Sequence, residues 1–548
     1  MSSRILLVEH QSHSPQATQR LLEALLDGVT VTRLTDEATA LFVFQEEVFD
    51  LVIAESSLTT DPNDQSGINF LHRLPSNQLK LLISGDPKVQ TVAIPPHTEC
   101  FIRTGNRPTD FVNKIDGLMG DFSLIPPNIV QGLAVHACQN ELINLREDQF
   151  ITMFTSMFRS LFPYAEQVQL LSLNQGRGGG NVVLANPIKP TQGTRFVVKF
   201  GARETLRSEL HNYHEYVAPY AAVRATSLVA ETYSQNMMAI KFLFLGSEQQ
   251  TIDNFYKFYT NSEVTTENIC NAIEHVFQSV CRLWYHDKSD EYKRPDGGEQ
   301  QKDLSLAERY LQSLNLKAKG NDPQALTPKL ETTIDRCVAG GRFRRVGVSR
   351  AGNAMLTFQI GNRATHTLPN PVQFYEAHPD SFPEASYFCI THGDLTEENI
   401  FVDNSQHIWL IDFDRTSYNH ALRDVTQLEG VIKFFLLGSR NLVQRLRFEE
   451  VLVTANRLDA PIQLPDGLED EAFARAAKVI ETIRRQAAQI LDDPLDIDEY
   501  YAGLFFNALK VLKLRPKSYE DAQSQKMRQM HALYSTAKLS EHFGRQFN

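Results

Sequence analysis

The sequence predicts two folds in one chain: an α/β domain at the N-terminus and a larger α+β domain with a helical C-terminal part. Residues 1–122 alternate short apolar runs with amphipathic stretches, which is typical of a parallel sheet covered by helices. Residues 161–246 contain apolar segments of strand length, and apolar residues at helical spacing dominate the end of the chain. A chain of 548 residues is long enough for several domains.

The strand candidates of the N-terminal domain are continuous apolar runs, as expected of strands buried on both faces. They are Ile5–Val8, Val29–Val31, Leu51–Ala54, Leu79–Ile83 and Phe101–Ile102. This arrangement resembles the CheY-like receiver domains of bacterial response regulators. The resemblance implies a flavodoxin-like parallel sheet and a role in signal transduction.

The residues at the strand ends depart from the receiver pattern. Receivers carry paired acids after the first strand and the phosphoacceptor aspartate after the third, where this chain has Glu9-His10 and Glu55. Ser84 fits the fourth strand end, but Thr104-Gly105 replaces the Lys-Pro of the fifth. Glu55 is longer than aspartate by one methylene group and would misplace an acyl phosphate. Loss of the lysine would remove the cation that contacts the phosphoryl group. We expect a degenerate receiver-like domain that serves as an interaction module; the alternative is a receiver still phosphorylated on a nearby acid.

The most informative motif lies at residues 391–399, where the chain reads Thr-His-Gly-Asp-Leu-Thr-Glu-Glu-Asn; Leu-Ile-Asp-Phe-Asp follows at 410–414. Phosphoryl transfer needs a carboxylate that orients or deprotonates the attacking hydroxyl, and amide and carboxylate oxygens that hold magnesium on the phosphates. Asp394, Asn399 and Asp412 fit these roles in that order. Apolar strand-like runs precede and follow the loop, so the motif stands in its expected context.

This pattern resembles the catalytic loop of the aminoglycoside phosphotransferases and choline kinases, in which His-Gly-Asp replaces the His-Arg-Asp of protein kinases. The resemblance covers about residues 150–515 and implies a bilobal protein kinase-like fold, with ATP and Mg²⁺ as cofactors. Thr396 replaces the second histidine of many relatives, and Asp414 replaces the glycine of protein kinases. Neither change removes a group that the chemistry needs. Asp424 is expected to cap the next helix and to support the catalytic loop.

Upstream segments supply the other groups that the resemblance implies. The glycine-rich segment 174–181 would cover the ATP phosphates, although Asn181 ends the G-x-G-x-x-G pattern and a plain hairpin turn is the alternative. The glycines assigned to cofactor binding are Gly176, Gly178, Gly179 and Gly180. Lys199 lies in an apolar strand, where a cation is costly to bury unpaired. It is expected to contact the phosphates and to pair with Glu209, with Glu215 as the alternative. Residues 237–246 would form the adenine-binding hinge, although an apolar strand packed in the core explains this segment equally well.

These patterns divide the chain into a receiver-like domain (1–122), a helical connector (123–160), a kinase-like N-lobe (161–246) and a C-lobe with insertions (247–548). The region 247–386 is longer than a minimal lobe requires. We expect it either to shape the acceptor site or to be a surface decoration.

Composition excludes several classes of function. The net charge of −12 gives no basic footprint for nucleic acid or for an anionic membrane surface. No apolar run approaches the length of a membrane span. The six cysteines are scattered without a Cys-x-x-Cys motif, which favours a reducing compartment and argues against zinc. The chain opens on a strand and not on a signal peptide, so a cytoplasmic location is expected.

Together these observations predict an ATP- and Mg²⁺-dependent phosphotransferase of the aminoglycoside/choline kinase-like class. Its acceptor is an unknown hydroxyl-bearing small molecule or protein, in a bacterial signalling context. The receiver-like domain is expected to bind a protein partner or to form a homodimer. Two alternatives remain open at this stage: an ATP-binding pseudokinase scaffold, and a kinase-like enzyme that modifies a protein or transfers a nucleotidyl group.

Overall fold

The computed structural model divides the chain into two compact units. Unit 1 comprises Met1–His211 and Thr226–Gln249, and unit 2 comprises Asn212–Ala225 and Gln250–Asn548. The structure describes residues 3–10, 17–26, 29–61, 64–75, 78–91, 94–95, 98–119, 122–139, 145–174, 180–189, 194–220, 227–233, 237–243, 252–292, 304–318, 326–339, 348–351, 355–360, 364–403, 405–468 and 470–545.

The N-terminal part of unit 1 is a parallel sheet. Its strands are β1 (Ser3–Val8), β2 (Val29–Leu34), β3 (Leu51–Glu55), β4 (Lys80–Ser84) and β5 (Thr98–Ile102). They lie in the order β2-β1-β3-β4-β5, and every pairing is parallel. This order belongs to the flavodoxin-like class, which includes receiver domains. The predicted α/β receiver-like fold is therefore confirmed.

Helices cover both faces of this sheet because alternate residues of each strand point to opposite sides. The helices are α1 (Ala17–Leu25), α2 (Glu37–Glu46), α3 (Ser66–Arg73) and α4 (Pro108–Met119). Leu6, Val52 and Leu82 belong to one core, while their neighbours Ile53 and Leu81 belong to the other. Between β4 and β5, the described residues hold only the single 3₁₀ turn Pro87–Thr91 in place of a full helix.

The rest of unit 1 is a mostly antiparallel sheet with its own helices. The strands are β6 (Ser123–Ile125), β7 (Gln167–Asn174), β8 (Gly180–Lys189), β9 (Phe196–Ala202), β10 (Leu228–Tyr233) and β11 (Met237–Leu243), and the helices are α5 (Pro127–Gln139), α6 (Glu147–Leu161) and α7 (Arg203–Asn212). The order is β10-β11-β9-β8-β7-β6, with β6 parallel to β7. The stretch expected to be a helical connector therefore begins with a strand of this sheet. In α6, Phe150 and Phe154 pack on Phe200 of β9.

The two sheets of unit 1 are joined by side-chain contacts. Phe44 of α2 meets Tyr233 of β10 edge to face, with ring centroids 6.5 Å apart. The guanidinium of Arg203 lies 4.6 Å from the centre of the Tyr233 ring and donates to the Gln45 carbonyl at 2.8 Å. One side of the receiver-like domain is thus covered by the antiparallel sheet and helix α7 of the same unit.

Unit 2 is dominated by helices with small sheets between them. The strands are β12 (Ile252–Asn254), β13 (Val348–Ala351), β14 (Met355–Ile360), β15 (Ala364–Pro369), β16 (Phe388–Thr391), β17 (Ile400–Asp403), β18 (Ile408–Leu410) and β19 (Ser417–His420). The helices are α8 (Phe255–Thr260), α9 (Thr266–His275), α10 (Arg282–His286), α11 (Leu306–Ser313), α12 (Pro328–Ala339), α13 (Pro371–Ala377), α14 (Arg423–Val431), α15 (Leu442–Leu452), α16 (Glu471–Leu491), α17 (Ile497–Lys513) and α18 (Ala522–Gly544). The sheets are β12-β17-β18, β13-β14-β15 and β16-β19.

Helix α14 lies at the centre of unit 2, and all of its residues are buried. Its Glu429 accepts two hydrogen bonds from the guanidinium of Arg484 in α16, at 2.8 and 2.9 Å, and one from the hydroxyl of Tyr500 in α17, at 2.6 Å. Two-point contact with a guanidinium fixes direction as well as distance. The three helices are thereby held together, and the N-terminus of α14 lies beside the His-Gly-Asp segment.

Among the described residues, no helix combines the length and the apolarity that a membrane span requires. The described cysteines are unpaired thiols: Cys270, Cys281, Cys337 and Cys389 are buried, and Cys100 is half-buried.

Candidate active site

The His-Gly-Asp segment forms a tight turn between β16 and β17. His392 is buried, and its Nε2 lies 3.0 Å from the carbonyl oxygen of Ile411, the residue before Asp412. Gly393 has φ = +77°, and a Cβ at this position would lie 2.2 Å from the carbonyl oxygen of Arg415. Only glycine fits such a position, because both the backbone angle and the space exclude a side chain. The turn therefore packs directly on the segment that follows Asp412.

Asp424 supports this turn, but not in the way expected. The residue before α14 is Leu422, so Asp424 lies in the first turn of the helix and the predicted N-cap is wrong. Its carboxylate accepts hydrogen bonds from the backbone N–H groups of His392 and Gly393, at 2.7 and 2.9 Å, and from the Tyr285 hydroxyl at 2.7 Å. The predicted support of the catalytic loop is confirmed, and it acts through the loop backbone.

Asp394 is held by two side chains from distant helices. Its Oδ1 accepts from Nε2 of Gln427 and from Nζ of Lys510, each at 2.9 Å. Its Oδ2 makes no hydrogen bond with the described residues, and about a quarter of the side chain is exposed (27%). Burial by itself would raise the pKa of Asp394, but the charges of Lys510 and Arg415 and the two hydrogen bonds outweigh it and hold the pKa well below its usual range. The carboxylate stays ionised, with one oxygen available to a hydroxyl group.

Gln427 and Lys510 were not found by sequence reasoning. Gln427 lies in α14, and Lys510 lies in α17, 116 positions after Asp394. The signal that could have found Lys510 is a single cation inside the apolar run of α17. Burial lowers the pKa of Lys510, and the neighbouring Asp394 charge offsets part of this effect.

Asn399 and Asp412, the predicted metal-binding residues, lie on adjacent chain segments. The backbone N–H of Ile411 donates to the Asn399 carbonyl at 3.1 Å, and Nδ2 of Asn399 donates to the Asp394 carbonyl at 2.8 Å. Asp412 has left-handed backbone angles, φ 71° and ψ 68°. In the described part of the chain no group of three or more His, Cys, Asp or Glu side chains could hold a metal. One carboxylate and one amide oxygen suit Mg²⁺, which keeps few protein ligands and completes its shell with phosphates and water.

Lys199 and Glu209 form an ion pair within unit 1. Nζ of Lys199 in β9 lies 2.5 Å from Oε2 of Glu209 in α7, and both side chains are buried. The expected pair is therefore present, with Glu209 and not Glu215 as the partner. A buried ion pair adds little to stability after desolvation, so a functional reason for keeping it is favoured.

Part of the predicted nucleotide site falls outside the described residues. Gly180 is the first residue of β8, whereas Gly176, Gly178 and Gly179 lie outside the described ranges. The predicted hinge is described only as far as Leu243, the end of β11.

At the strand ends of the receiver-like domain, arginine replaces the missing lysine. Arg103 lies 3.1 Å from Glu55 and 3.6 Å from Glu9, and Arg33 lies 2.6 Å from Glu9. Glu55 also accepts from the backbone N–H of His10 at 3.0 Å. The loss of the lysine does not leave these acids without a cation, because Arg103 follows β5 and reaches both of them. These contacts tie the acids to cations of the same chain, in keeping with a degenerate receiver.

A cleft opens beside the catalytic loop of unit 2, with a cavity volume of about 410 Å³. Helix α11 and the segment after Asp412 form much of its wall. The lining residues are Tyr216, Tyr292, Leu304, Arg309, Gln312, Ser313, Asn315, Arg415, Ser417, Tyr418, Asn419 and Arg423. Nη2 of Arg423 donates to the carbonyl of Gly393 at 2.8 Å, which connects the wall of the cleft to the residue before Asp394.

The antiparallel sheet with its Lys–Glu pair, and the helical unit with its His-Gly-Asp loop, define a protein kinase-like fold of the aminoglycoside phosphotransferase/choline kinase type. The family profile described as "Ternary complex associated domain 9" matches residues 165–351 and 343–513. The chain therefore belongs to this family.

Solved structures similar to this chain fall into two groups. A choline kinase from Streptococcus pneumoniae is 11% identical over 71% of this chain and 99% of its own, with a TM-score of 0.34. An aminoglycoside-3'-phosphotransferase of type VIII is 9% identical over 65% of this chain and 98% of its own, with a TM-score of 0.33. A CheY-like receiver domain from Methanospirillum hungatei JF-1 is 19% identical over 22% of this chain and 94% of its own, with a TM-score of 0.18. No curated protein matches the chain by sequence.

Proposed function

We propose that this protein is an ATP- and Mg²⁺-dependent phosphotransferase that acts on a hydroxyl group. The observation that carries the proposal is the state of Asp394: its Oδ1 is held by Gln427 and Lys510, while its Oδ2 makes no hydrogen bond with the described residues. A carboxylate positioned in this way accepts a hydrogen bond from an acceptor hydroxyl and directs the hydroxyl oxygen toward phosphorus.

Asp394 acts mainly by orienting the acceptor hydroxyl group. Because its pKa is held below the usual range, it is a weak base before the reaction. The hydroxyl proton becomes acidic only as the bond to phosphorus forms, and the carboxylate accepts it then. A loose phosphoryl-transfer transition state needs no stronger base than this.

The remaining predicted residues take the roles that their chemistry suits. Asn399 and Asp412 would hold Mg²⁺, which supplies positive charge to the phosphate oxygens. Lys199, positioned by Glu209, would bind the ATP phosphates. Gln427 is a positioning residue that keeps the Asp394 carboxylate in one orientation.

The test is ATP binding and ADP release with and without Mg²⁺, in the wild-type protein and in Asp394→Asn and Asp412→Asn. We expect Asp394→Asn to retain nucleotide binding and to lose turnover by about 100-fold or more, since positioned acid–base groups contribute at least that much. Asp412→Asn should lose the Mg²⁺-dependent part of both binding and turnover. Asp459→Asn, at an exposed carboxylate paired with Arg457, is the control and should match the wild type.

Two outcomes would count against the proposal. Full turnover in Asp394→Asn would show that this carboxylate has no catalytic role. Mg²⁺-dependent ATP binding without turnover under any acceptor condition would instead support a nucleotide-binding scaffold. Mass spectrometry of a modified product separates the remaining alternative, because a phosphoryl group and an AMP group add different masses.

A further inference from the structure

The cleft beside Asp394 is rich in arginine and contains no acidic lining residue among those described. Arg309 comes from α11, Arg415 from the segment after Asp412, and Arg423 from the start of α14. Its volume of about 410 Å³ is within the range of small-molecule sites. Several neutral hydrogen-bonding side chains, such as Ser417 and Asn419, complete its wall.

Two of these arginines retain hydrogen-bonding capacity. Arg423 is 98% buried, and its Nε has no hydrogen-bond partner among the described residues. The guanidinium of Arg415, which is half-buried, forms no hydrogen bond or ion pair with described residues. A buried donor without a partner carries an energetic penalty that a bound anion would remove.

Two carboxylates next to these arginines in the chain are engaged elsewhere. Glu308 beside Arg309 caps α11 by accepting from the N–H of Ser305 at 3.0 Å. Asp424 beside Arg423 binds the backbone of the catalytic loop. Burial raises the pKa of Tyr418 to about 12, with smaller contributions from Asp287 and Asp290, and neither aspartate lines the cleft.

The aromatic side chains of the cleft do not form a site for a cation. Tyr292 and Tyr418 meet edge to face, with centroids 5.8 Å apart, and such rings can hold an ammonium group. However, the guanidinium of Arg309 already lies over Tyr292, 4.1 Å from the ring centre. A cationic ligand would therefore be repelled by the positive charges of Arg309, Arg415 and Arg423.

We propose that the cleft binds the acceptor and that the acceptor is a small hydroxyl compound bearing an oxyanion, a phosphate or a carboxylate group. The oxyanion binds Arg415 and Arg423, Arg309 also lines the cleft, and the hydroxyl group reaches Asp394. This inference rests on the proposed function for the transfer step, but the binding of an anion does not depend on it. Guanidinium groups suit both oxyanions because their paired N–H donors match two oxygens.

Binding is tested first by calorimetry without nucleotide or Mg²⁺, with inorganic phosphate and D-glycerate as the two oxyanion probes and choline as the cation. We expect the wild type to bind at least one oxyanion and not choline. Arg415→Gln should weaken that binding about tenfold, the usual loss for one charge-assisted hydrogen bond. Arg415→Lys should retain most of it. Arg457→Gln, at an exposed arginine paired with Asp459, should bind as the wild type does.

Turnover is measured next as ADP release with glycerol 3-phosphate, D-glycerate, glycerol and choline. Stimulation by either anionic alcohol, reduced in Arg415→Gln, supports the proposal and identifies the preferred oxyanion. Oxyanion binding equal in wild type and Arg415→Gln, or a preference for choline, overturns it. Anion binding that depends on Arg415 but is accompanied by no ATP turnover would refute the proposed function and leave this inference intact. ATP turnover without such anion binding would refute this inference and leave the proposed function intact.

Discussion

At the scale of single residues, the chemistry of the site depends on how Lys510 and Gln427 hold Asp394. Both contacts reach the same oxygen, so the carboxylate is fixed in one orientation while its second oxygen is left for a substrate. The charge of Lys510 also offsets much of the free-energy cost of burying the ionised carboxylate of Asp394. In the proposed reaction, Lys510 is therefore a positioning residue that sets both the direction and the ionisation of the Asp394 carboxylate.

Replacing Lys510 should change the pH dependence of turnover. The pKa of Asp394 is depressed in the folded protein, so its carboxylate persists in acid and is protonated only as the pH falls through that low pKa. In Lys510→Gln the lysine charge is lost, the pKa rises, and the acid limb of the pH–kcat profile moves to higher pH. We expect kcat at neutral pH to fall by about tenfold or more, because one hydrogen bond to a charged group is lost.

Two variants control this experiment. Lys510→Arg keeps the charge and should keep the acid limb near its wild-type position. Lys478→Gln removes a lysine that is mostly exposed on α16 and should have no effect. An acid limb that does not move in Lys510→Gln would show that this lysine does not set the ionisation of Asp394.

At the scale of elements, the site depends on the close packing of α14 against α17. Gly503 of α17 faces Thr426 of α14, and a Cβ on Gly503 would lie 2.8 Å from Thr426 Cγ2 and 2.8 Å from the Tyr310 hydroxyl. Asn507, one turn later, donates to the hydroxyl of Thr426 at 3.0 Å. The glycine thus lets α17 approach closely enough for Lys510, further along the same helix, to reach Asp394.

Gly503→Ala should therefore destabilise the protein although alanine is the better helix former. Overpacking costs about 1–3 kcal/mol, which exceeds the gain of up to about 1 kcal/mol in helix propensity. Urea unfolding followed by circular dichroism measures the change in the free energy of unfolding. Turnover should also fall, because α17 carries Lys510.

Gly430→Ala is the matched control for this helix pair. Gly430 lies in α14, where a Cβ would meet the Phe434 ring at 3.8 Å, an ordinary contact. This variant should be as stable as the wild type or more stable. Equal stability in Gly503→Ala and Gly430→Ala would refute the role assigned to the Gly503 contact.

At the scale of the whole molecule, buried ionisable groups make stability sensitive to pH. In unit 2, Glu449 of α15 accepts hydrogen bonds from Lys433, at 2.7 Å, and from His531 of α18, at 3.0 Å. His531 is fully buried. Burial lowers the pKa of His531 to about 4, although Glu449 offsets part of the effect. The histidine is therefore neutral in the folded protein at neutral pH.

Stability should fall as the pH decreases from about 6.5 to about 4. In this window the unfolded histidine binds a proton and the folded one does not, so each pH unit costs up to about 1.4 kcal/mol. Thermal unfolding between pH 7 and 4.5 should show a weaker decrease in Tm for His531→Gln than for the wild type. His407→Gln, at a partly exposed histidine paired with Asp403, should keep the wild-type slope. Equal slopes for all three proteins would contradict this assignment.

Much of the fold was predictable from local patterns. Short apolar runs located the strands of the parallel sheet. The central strands β1, β3 and β4 are buried on both faces and are therefore mostly apolar, and the edge strands β2 and β5 keep a shorter apolar run. The helical connector was predicted less well, since β6 has only three residues and becomes a strand by pairing with β7. Within the candidate site, Asp394, Asn399 and Asp412 were predicted because one short stretch of chain carries the groups that phosphoryl transfer needs.

The sequence by itself determined the two folds, the catalytic loop and the Lys199–Glu209 pair, because each depends on residues within one element or on neighbouring elements. Only the tertiary structure decided that Lys510 and Gln427 hold Asp394, that Arg103 bridges Glu9 and Glu55, and that arginines line the cleft. These contacts join residues that lie far apart in the chain, and helix and strand packing alone brings them together. Side-chain spacing along a sequence carries no record of such distances, so the positive charge of the cleft became visible only in the folded protein.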